Sequence, residues 1–594
     1  MPETGAPLYR RFADAASAYP TRPAFAFGDG DRTYGELHAR AEALAAALIV
    51  KRGIAAGEPL ALVGEDCADW PTASLAIQAA GAVEVPVSGF GDADAANAFL
   101  ESEAPRLVFV SGDGLAGAGA ADSVRLDAGH GAGDGLAALL ESGRAALAAD
   151  PDVVTRRQAT IGPDDPAAII RTSGTTGPAK RARLSGRNLV HACRHLPDLL
   201  AVGPEDVFLS VLPLWHLYGR LVLYTALGSG ARLVQAPPRD LTRLLPVVRP
   251  TLLPGFPLMW ERVHHQTLDR LATLGWRGRI VRAAIALARV YHAGRDRAAR
   301  GGIPVRAAAW GAAALLYPLW RAADALLLRR LRAPFGGRLR AAIIGDAPLP
   351  RAIDVDLRAM GFTLLEGYGS TEQGVSTIRT PHRNRPGTVG RALPDVMLRL
   401  VDDDGRAVTP PGPGEIAVAG PQVFPGYAGD SRPARFAEID GRRFYLTGDI
   451  GCLDDAGDLS FVGRRANRLR LRGHEAPVQP EPVESTVLAS RYIAHAMLDK
   501  GPDGSPWLLV VPDFAQRALA QPGMPPGDPR WVAFYRRLLR RLLRRQERQL
   551  RVRVAGFWLA DAPLVSGESL TPTLKLRRGH IRARLLPRLS PHPL

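Results

Sequence analysis

Nine residues lying between an apolar run and a helix-like segment, Thr172-Ser173-Gly174-Thr175-Thr176-Gly177-Pro178-Ala179-Lys180, constrain this chain more than any other stretch. The run before them, 167–170, reads as the end of a buried strand. The helical pattern over 189–200 follows, with Asn188 as its expected N-cap. Four hydroxyls, two glycines and a lysine crowd into this one loop. Glycine lets the backbone come close to a ligand, while hydroxyls and free N–H groups donate to anionic oxygens. A lysine at the end adds a point charge suited to a polyphosphate. Composition alone also fits a plain polar turn. The Gly-x4-Gly-Lys-Ser/Thr spacing of a Walker loop is absent.

At 594 residues the chain is too long for one core, so two or more domains are expected. Cys67, Cys193 and Cys452 are too few and too scattered for a disulfide framework or a zinc site, which predicts a reducing, cytoplasmic setting. The opening residues carry no basic segment leading into an apolar core, so no signal peptide is expected. The longest nearly uncharged apolar run, 307–320, contains Pro318 and falls short of the roughly 20 residues a spanning helix needs. Peripheral contact with the inner face of a membrane stays open.

A formal net charge of +16 invites a nucleic-acid reading, yet the basic residues are spread along the chain without a nucleic-acid motif, and no such partner is expected. The kind of basic residue is more telling. Only Lys51, Lys180, Lys500 and Lys575 stand against 71 arginines. A lysine kept in such a chain marks a place where arginine would not serve. Over residues 1–150, helical and short apolar segments alternate (34–49, 60–63, 75–87), which predicts an α/β fold with a mainly parallel sheet. Residues 111–135, rich in Gly, Ala and Asp, read as a loose surface loop.

Taken whole, the nine-residue loop resembles the signature loop of the adenylate-forming (AMP-binding) superfamily, which includes acyl-CoA synthetases, peptide-synthetase adenylation domains and firefly-type luciferases. The resemblance implies phosphate binding by Thr172, Ser173, Gly174, Thr175, Thr176, Gly177 and Lys180. Weaker matches to acyl-CoA synthetases lie upstream, at Thr33-Tyr34-Gly35-Glu36-Leu37 and Gly81-Ala82-Val83-Glu84-Val85-Pro86-Val87. Downstream motifs follow in family order. Leu212-Pro213-Leu214-Trp215-His216-Leu217-Tyr218-Gly219-Arg220 resembles the segment that lines the carboxylate pocket of long-chain members. It implies substrate positioning by His216 and an acyl-tunnel wall at Trp215, although a histidine among aromatics is more often a packed core residue. Residues 248–257, with Trp260 and Glu261, resemble the same branch. So does an insertion over 268–334 rich in Ala, Leu and Arg, which reads either as core helices with solvated arginines or as a basic, apolar surface that skims a membrane.

Ile343-Ile344-Gly345-Asp346-Ala347-Pro348-Leu349 resembles the family's Gly-Gly-Ala-Pro-Leu turn, with Asp346 where a small residue is usual. Gly255, Gly345 and Ala347 are the implied acyl-pocket residues. Glu366-Gly367-Tyr368-Gly369-Ser370-Thr371-Glu372 offers an aromatic face, a hydroxyl and a carboxylate for a hard cation. The resemblance assigns adenine to Tyr368 and Gly369, the α-phosphate to Thr371, and Mg²⁺ to Glu372. Thr447-Gly448-Asp449 then supplies a ribose carboxylate, Asp449, and Arg464 a second ribose contact. Where the family shows Gly-Arg-x-Lys-Asp, this chain has Gly463-Arg464-Arg465-Ala466-Asn467. Asn467, tolerant of unusual backbone angles, is the expected hinge. Residues 531–550 form an amphipathic pattern that either packs on a core or docks on anionic lipid or an acidic carrier. Leu570-Thr571-Pro572-Thr573-Leu574-Lys575-Leu576 matches the C-terminal lysine motif, and Lys575 is the implied catalytic cation.

The implied fold is α/β. A large N-terminal domain over 1–462 has α/β subdomains and a small β-barrel-like subdomain, and a small mobile α+β domain covers 463–594. The implied activity is an ATP- and Mg²⁺-dependent acid–thiol ligase that activates a medium- or long-chain fatty acid as acyl-AMP and passes it to CoA. Lys575, Glu372 and His216 carry the chemistry. Two alternatives stand beside it: transfer to an acyl carrier protein, and a catalytically degenerate nucleotide- or acyl-binding regulator.

Overall fold

The computed structural model of the chain describes residues 7–28, 30–89, 93–112, 122–127, 135–172, 180–298, 303–429, 433–521, 523–525, 528–565, 567–571 and 575–594. The alternation predicted for the first 150 residues is present. Strands Pro59–Gly64, Val83–Ser88 and Leu107–Ser111 pair in parallel, with helices Tyr34–Ala46 and Trp70–Ala79 packed on them. The weak Thr33-Tyr34-Gly35-Glu36 motif has a local cause. Thr33 and Glu36 form a reciprocal capping box that starts the first of those helices.

These strands belong to a seven-stranded sheet that also holds Pro166–Arg171 and Arg181–Ser185, the two strands flanking the phosphate-loop motif. A nine-stranded sheet runs beside it. At its centre Val207–Ser210, Leu252–Gly255, Ala341–Ile344 and Leu364–Ser370 pair in parallel. The two sheets share one apolar core, to which helices Gly186–Leu200 and Leu217–Gly228 contribute. The barrel-like subdomain is a five-stranded antiparallel sheet built on the long strand Arg442–Leu453. After Arg464 comes a smaller four-stranded sheet with its own core.

Two local expectations are corrected. The helix after the phosphate loop begins at Gly186. Its cap is Ser185, whose hydroxyl accepts from the Asn188 N–H while the Asn188 side chain accepts from the Ser185 N–H. Within 111–135, Ser123–Arg125 is a strand, not loop, because the parallel edge of Leu107–Ser111 supplies its partners and buries Val124. The amphipathic segment resolves to helix Arg530–Leu550, whose Trp531, Tyr535, Leu538, Leu539 and Leu543 are buried in the C-terminal core. That apolar face is already covered.

The insertion forms two long helices, Gly275–Ala298 and Ile303–Ala323, packed together through Tyr291, which stacks on Trp320 with ring centroids 4.5 Å apart. No helix among the described residues is long and apolar enough to cross a membrane.

Arg220, from the Trp-His motif, is wholly buried and pairs with the equally buried Glu84. Tyr224 and Ser74 also donate to the same Glu84 oxygen, Oε2. Two sequence motifs 136 residues apart therefore meet in one polar joint between helix Leu217–Gly228 and strand Val83–Ser88. Removing one partner of a buried pair strands the other, at a typical cost of about 3–5 kcal/mol. Arg220→Met should lower stability by that amount in chemical denaturation, and adding Glu84→Gln should recover part of the loss. A single variant within about 1 kcal/mol of the parent would refute the joint's importance.

Candidate active site

The motif residues gather where parallel strands end. Leu252–Gly255 ends in Gly255, Ala341–Ile344 runs into Gly345-Asp346, and Leu364–Ser370 carries Tyr368 and Gly369. Val207–Ser210 leads to Trp215 and His216, so the crevice lies beyond the carboxyl ends of a parallel sheet, where α/β folds place ligands.

Lys575 reaches into this crevice from the C-terminal unit. Its Nζ donates to Asp346 Oδ1 at 2.7 Å, and both side chains are largely shielded from solvent. Asp346 has φ +74°, a left-handed conformation that aspartate tolerates better than most residues. Burial pushes its carboxyl up, but Lys575, His216 and Arg464 together outweigh that and hold it below the usual carboxylate range. His216 caps helix Leu217–Gly228, its Nδ1 accepting from the Tyr218 N–H. Burial keeps this imidazole below its ordinary value, against a smaller opposing pull from Asp346, so it is neutral at physiological pH. The Trp215 ring meets it edge-on at 5.7 Å.

A second cluster adjoins the first. The Tyr368 hydroxyl donates to Asp449 Oδ2 at 2.9 Å, and Arg464 Nε lies 3.4 Å from Asp449 Oδ1. Asp449 and Arg464 face each other across antiparallel strands. Gly448 turns at φ +77° to present Asp449, a geometry that disfavours a side chain. Burial raises the Asp449 carboxyl, and Arg464 and Tyr368 offset part of the rise. Lys575, Arg464, Asp346, Asp449 and Glu372 are close enough for their charges to act on one another.

The third cluster links Lys180 to Glu372, which lies in the turn after strand Leu364–Ser370. Lys180 Nζ sits 4.5 Å from the centroid of the Tyr427 ring, and the Tyr427 hydroxyl donates to Glu372 Oε1 at 2.9 Å. Thr172 closes the base of the loop, its Oγ1 accepting from the Lys180 N–H at 3.0 Å. Ser173, Gly174, Thr175, Thr176 and Gly177 lie outside the described residues. Thr371 is half-buried beside Glu372, and Ala347 is exposed at the turn after Asp346. A methyl group on Gly345 would meet the Tyr218 ring at 3.2 Å, and one on Gly255 would collide with Met259. Tyr218 and Phe256 pack edge-to-face between those two strand ends.

The expected hinge uses its side chain. Asn467 lies in the short helical turn Arg465–Asn467 and donates to Glu481 Oε1 at 2.6 Å, which also accepts from the Arg464 N–H. Arg465 is held by the buried Glu415.

Over residues 12–428 the chain matches the family described as AMP-binding enzyme. The chain belongs to that family. It is 31% identical over 468 residues to the long-chain-fatty-acid–CoA ligase FadD15 of Mycobacterium tuberculosis, covering 76% of this chain and 73% of the relative. It is 27% identical over 474 residues to the chloroplastic long-chain-fatty-acid–[acyl-carrier-protein] ligase AEE15 of Arabidopsis thaliana, covering 75% and 64%. Among solved structures, ATP-bound MatB from Rhodopseudomonas palustris shares the fold with a TM-score of 0.68 at 22% identity, over 98% of each chain.

Several residues of this AMP-binding enzyme that shape the site escaped the motif reading. Asp66 accepts from the Leu214 N–H at 2.9 Å and from Gln235 at 2.7 Å, pinning the loop that carries Trp215 and His216. Burial pushes its carboxyl up to about 6. Glu366 accepts from the Leu349 N–H and from Arg379, so it ties the Asp346 turn to the Tyr368 strand. Arg379 also holds the buried Asp354.

Glu261, on the helix Pro257–Thr273 that follows Gly255, is pushed up to about 7 by burial, with Arg262 only partly opposing. The folded chain thus keeps a proton that the unfolded chain releases above about 4.5. Stability carried by that proton is present at low pH and is lost as pH rises toward 7. Glu261→Gln should flatten this part of the pH–stability curve and be the more stable protein at pH 8, by about 2 kcal/mol in denaturant titration. Parallel curves for the two proteins would refute the buried-carboxyl account.

Proposed function

We propose that this AMP-binding enzyme is a fatty acid–thiol ligase working through an acyl adenylate. The observation that carries the reading is the arrival of Lys575, from the C-terminal motif, beside Asp346, His216, Arg464 and Asp449 at the ends of the parallel strands. Relatives named long-chain-fatty-acid ligases at about 30% identity favour a fatty acid as the substrate. Unpaired cysteines fit a reducing, cytoplasmic setting.

In this reading the substrate carboxylate attacks the α-phosphorus of ATP and the bond to the pyrophosphate leaving group breaks. The enzyme's part is positioning and charge stabilisation. Lys575 meets the negative charge shared by carboxylate and α-phosphate, and neutral His216 orients the acid without adding charge. Asp449 and Arg464 hold the ribose, Tyr368 and Gly369 border adenine, and Thr172, Lys180 and Thr371 contact phosphates. Glu372, a hard oxygen donor steadied by Tyr427, suits Mg²⁺, which when bound neutralises phosphate charge. The small domain, taken to begin at 463, then turns about the 464–467 segment, and a thiol sulfur attacks the acyl carbon and expels AMP. The thiol is that of CoA, with the phosphopantetheine of an acyl carrier protein as the second acceptor, favoured by the AEE15 relative.

Pyrophosphate release from ATP and Mg²⁺ should depend on added acid, peak with medium or long chains and rise when CoA is supplied. Lys575→Ala should slow adenylate formation about 10²–10³-fold with little change in the KM for ATP. Stimulation by a carrier protein but not by CoA would exchange the acceptor. A Lys575→Ala enzyme as fast as the parent, or no release with any acid, would replace the ligase reading with a binding role.

The same reading includes peripheral contact with anionic lipid through the insertion. Nine of the fourteen exposed large apolar side chains among the described residues lie between 274 and 326, so this surface stands apart from the rest. Trp276 and Trp310 are 67% and 56% exposed. Thirteen arginines lie within 268–334 against three acids, and each acid is already paired: Asp269 with Arg491, Asp296 with Arg358 and Asp324 with Arg332. Aromatic side chains set among unneutralised arginines suit a negatively charged headgroup layer. The enzyme should sediment with vesicles containing phosphatidylglycerol and not with pure phosphatidylcholine. Replacing Arg277 and Arg279 with glutamine should weaken that binding several-fold per residue, at about 1 kcal/mol each. Equal partitioning to both vesicles, or to neither, would remove the membrane from the reading.

A further inference from the structure

We propose that His191, His195 and Asp395 form a binding site for a divalent transition-metal ion of the zinc class, separate from the nucleotide crevice. The site would fasten helix Gly186–Leu200 to the turn preceding strand Met397–Val401. The two histidines are one turn apart on the helix, and one donor atom from each of the three residues lies within 4.8 Å of the other two. His195 Nε2 is already 3.7 Å from Asp395 Oδ2. Tetrahedral zinc with bonds of about 2.0–2.1 Å requires donors about 3.3 Å apart, so the widest pair would close by about 1.5 Å on binding. Asp395, with its side chain 68% exposed, has room to move toward the two imidazoles.

The decisive group is His191, which is 4% exposed. Its Nε2 lies 2.8 Å from the Pro394 carbonyl, and a carbonyl only accepts, so Nε2 carries the proton. Nδ1 is then a bare lone pair, buried and without a hydrogen-bond partner. A buried acceptor left unsatisfied costs free energy, and a metal ion satisfies it. An imidazole whose second nitrogen donates to a backbone carbonyl is also the usual arrangement of a metal-binding histidine.

Two imidazoles and one carboxylate select zinc, cobalt or nickel over magnesium, which takes oxygen ligands. The metal would therefore be independent of the Mg²⁺ that accompanies ATP. Its place is a seam. The helix that follows the phosphate loop also donates from Asn188 to the Pro421 and Val423 carbonyls, and the Asp395 turn leads into the sheet that carries Asp449.

The test uses the full chain after chelator treatment and dialysis, titrated with Co²⁺ and, in competition with a chromophoric chelator, with Zn²⁺. His195→Gln and Asp395→Asn are the variants. Asp395 is exposed and His195 only partly so, and asparagine accepts the left-handed backbone that residue 395 adopts at φ +65°. The expected result is one Co²⁺ per chain with visible ligand-field bands, at least tenfold weaker binding in each variant, and no displacement by excess Mg²⁺. Zn²⁺ should raise the melting temperature of the parent and of neither variant. Absence of stoichiometric binding to the parent overturns the proposal. So does undiminished binding to both variants, which would signify an adventitious ion only.

Discussion

The ion pair between Lys575 and Asp346 brings distant parts of this chain together at the crevice. Lys575 and Asp346 are 229 residues apart, and their contact brings a cation from the C-terminal unit to the mouth of the nine-stranded sheet. The environment is crowded with charge: Arg464 also acts on Asp346, while Asp449 and Glu372 act on Arg464. In a partly dehydrated crevice such charges interact more strongly than in water, so the position of each constrains the rest. An anionic ligand that reaches Lys575 must do so beside a carboxylate already there. Asp346 therefore both anchors Lys575 at the crevice and adds to the electrostatic cost of bringing an anion there. A small residue at that turn would do neither.

That crevice is held open by polar joints buried well behind it. Asp66 fixes the Trp215-His216 loop, Glu366 and Arg379 fix the Asp346 turn against the Tyr368 strand, and Glu84 with Arg220 ties helix Leu217–Gly228 to the seven-stranded sheet. Buried charges of this kind contribute little net stability compared with apolar residues, but a misplaced partner is expensive, so they define geometry sharply. The 464–467 segment follows the same logic. Glu481 gathers the Arg464 N–H and the Asn467 side chain on one oxygen, and Glu415 holds Arg465. This segment is thus ordered by specific hydrogen bonds.

What could be read from the sequence was whatever is contiguous. The strings at 172–180, 366–372, 447–449 and 570–576 are each short and carry a local reason for their composition. The parallel sheets were equally legible, because alternating helical and apolar segments leave few other arrangements. Partnerships across the chain were not. Asp66 and Leu214 are 148 residues apart, Tyr427 and Glu372 are 55 apart, and nothing local to either member announces the other. The cap at Ser185 was missed for a different reason: in a capping box both residues carry side chains able to cap, and only the backbone shows which one leads. Ser123–Arg125 was hidden because a parallel edge, and not its own composition, makes it a strand.

The division of labour between arginine and lysine follows from the same geometry. Arg379 spends its planar fork on three fixed acceptors, Thr388 O, Asp354 and Glu366, and is fully buried. A guanidinium suits such a place because its donors are preset in direction. Lys575 makes one bond to one carboxylate oxygen, and Lys180 lies over the Tyr427 ring as a point charge. An ammonium on a flexible stem exchanges one anionic partner for another by rotating its side chain, whereas a fork held by several acceptors must break them together. In a chain that uses arginine almost everywhere else, lysine persists at the two places in the crevice where the partner is a single oxygen or a ring face. There a mobile charge serves better than a rigid one.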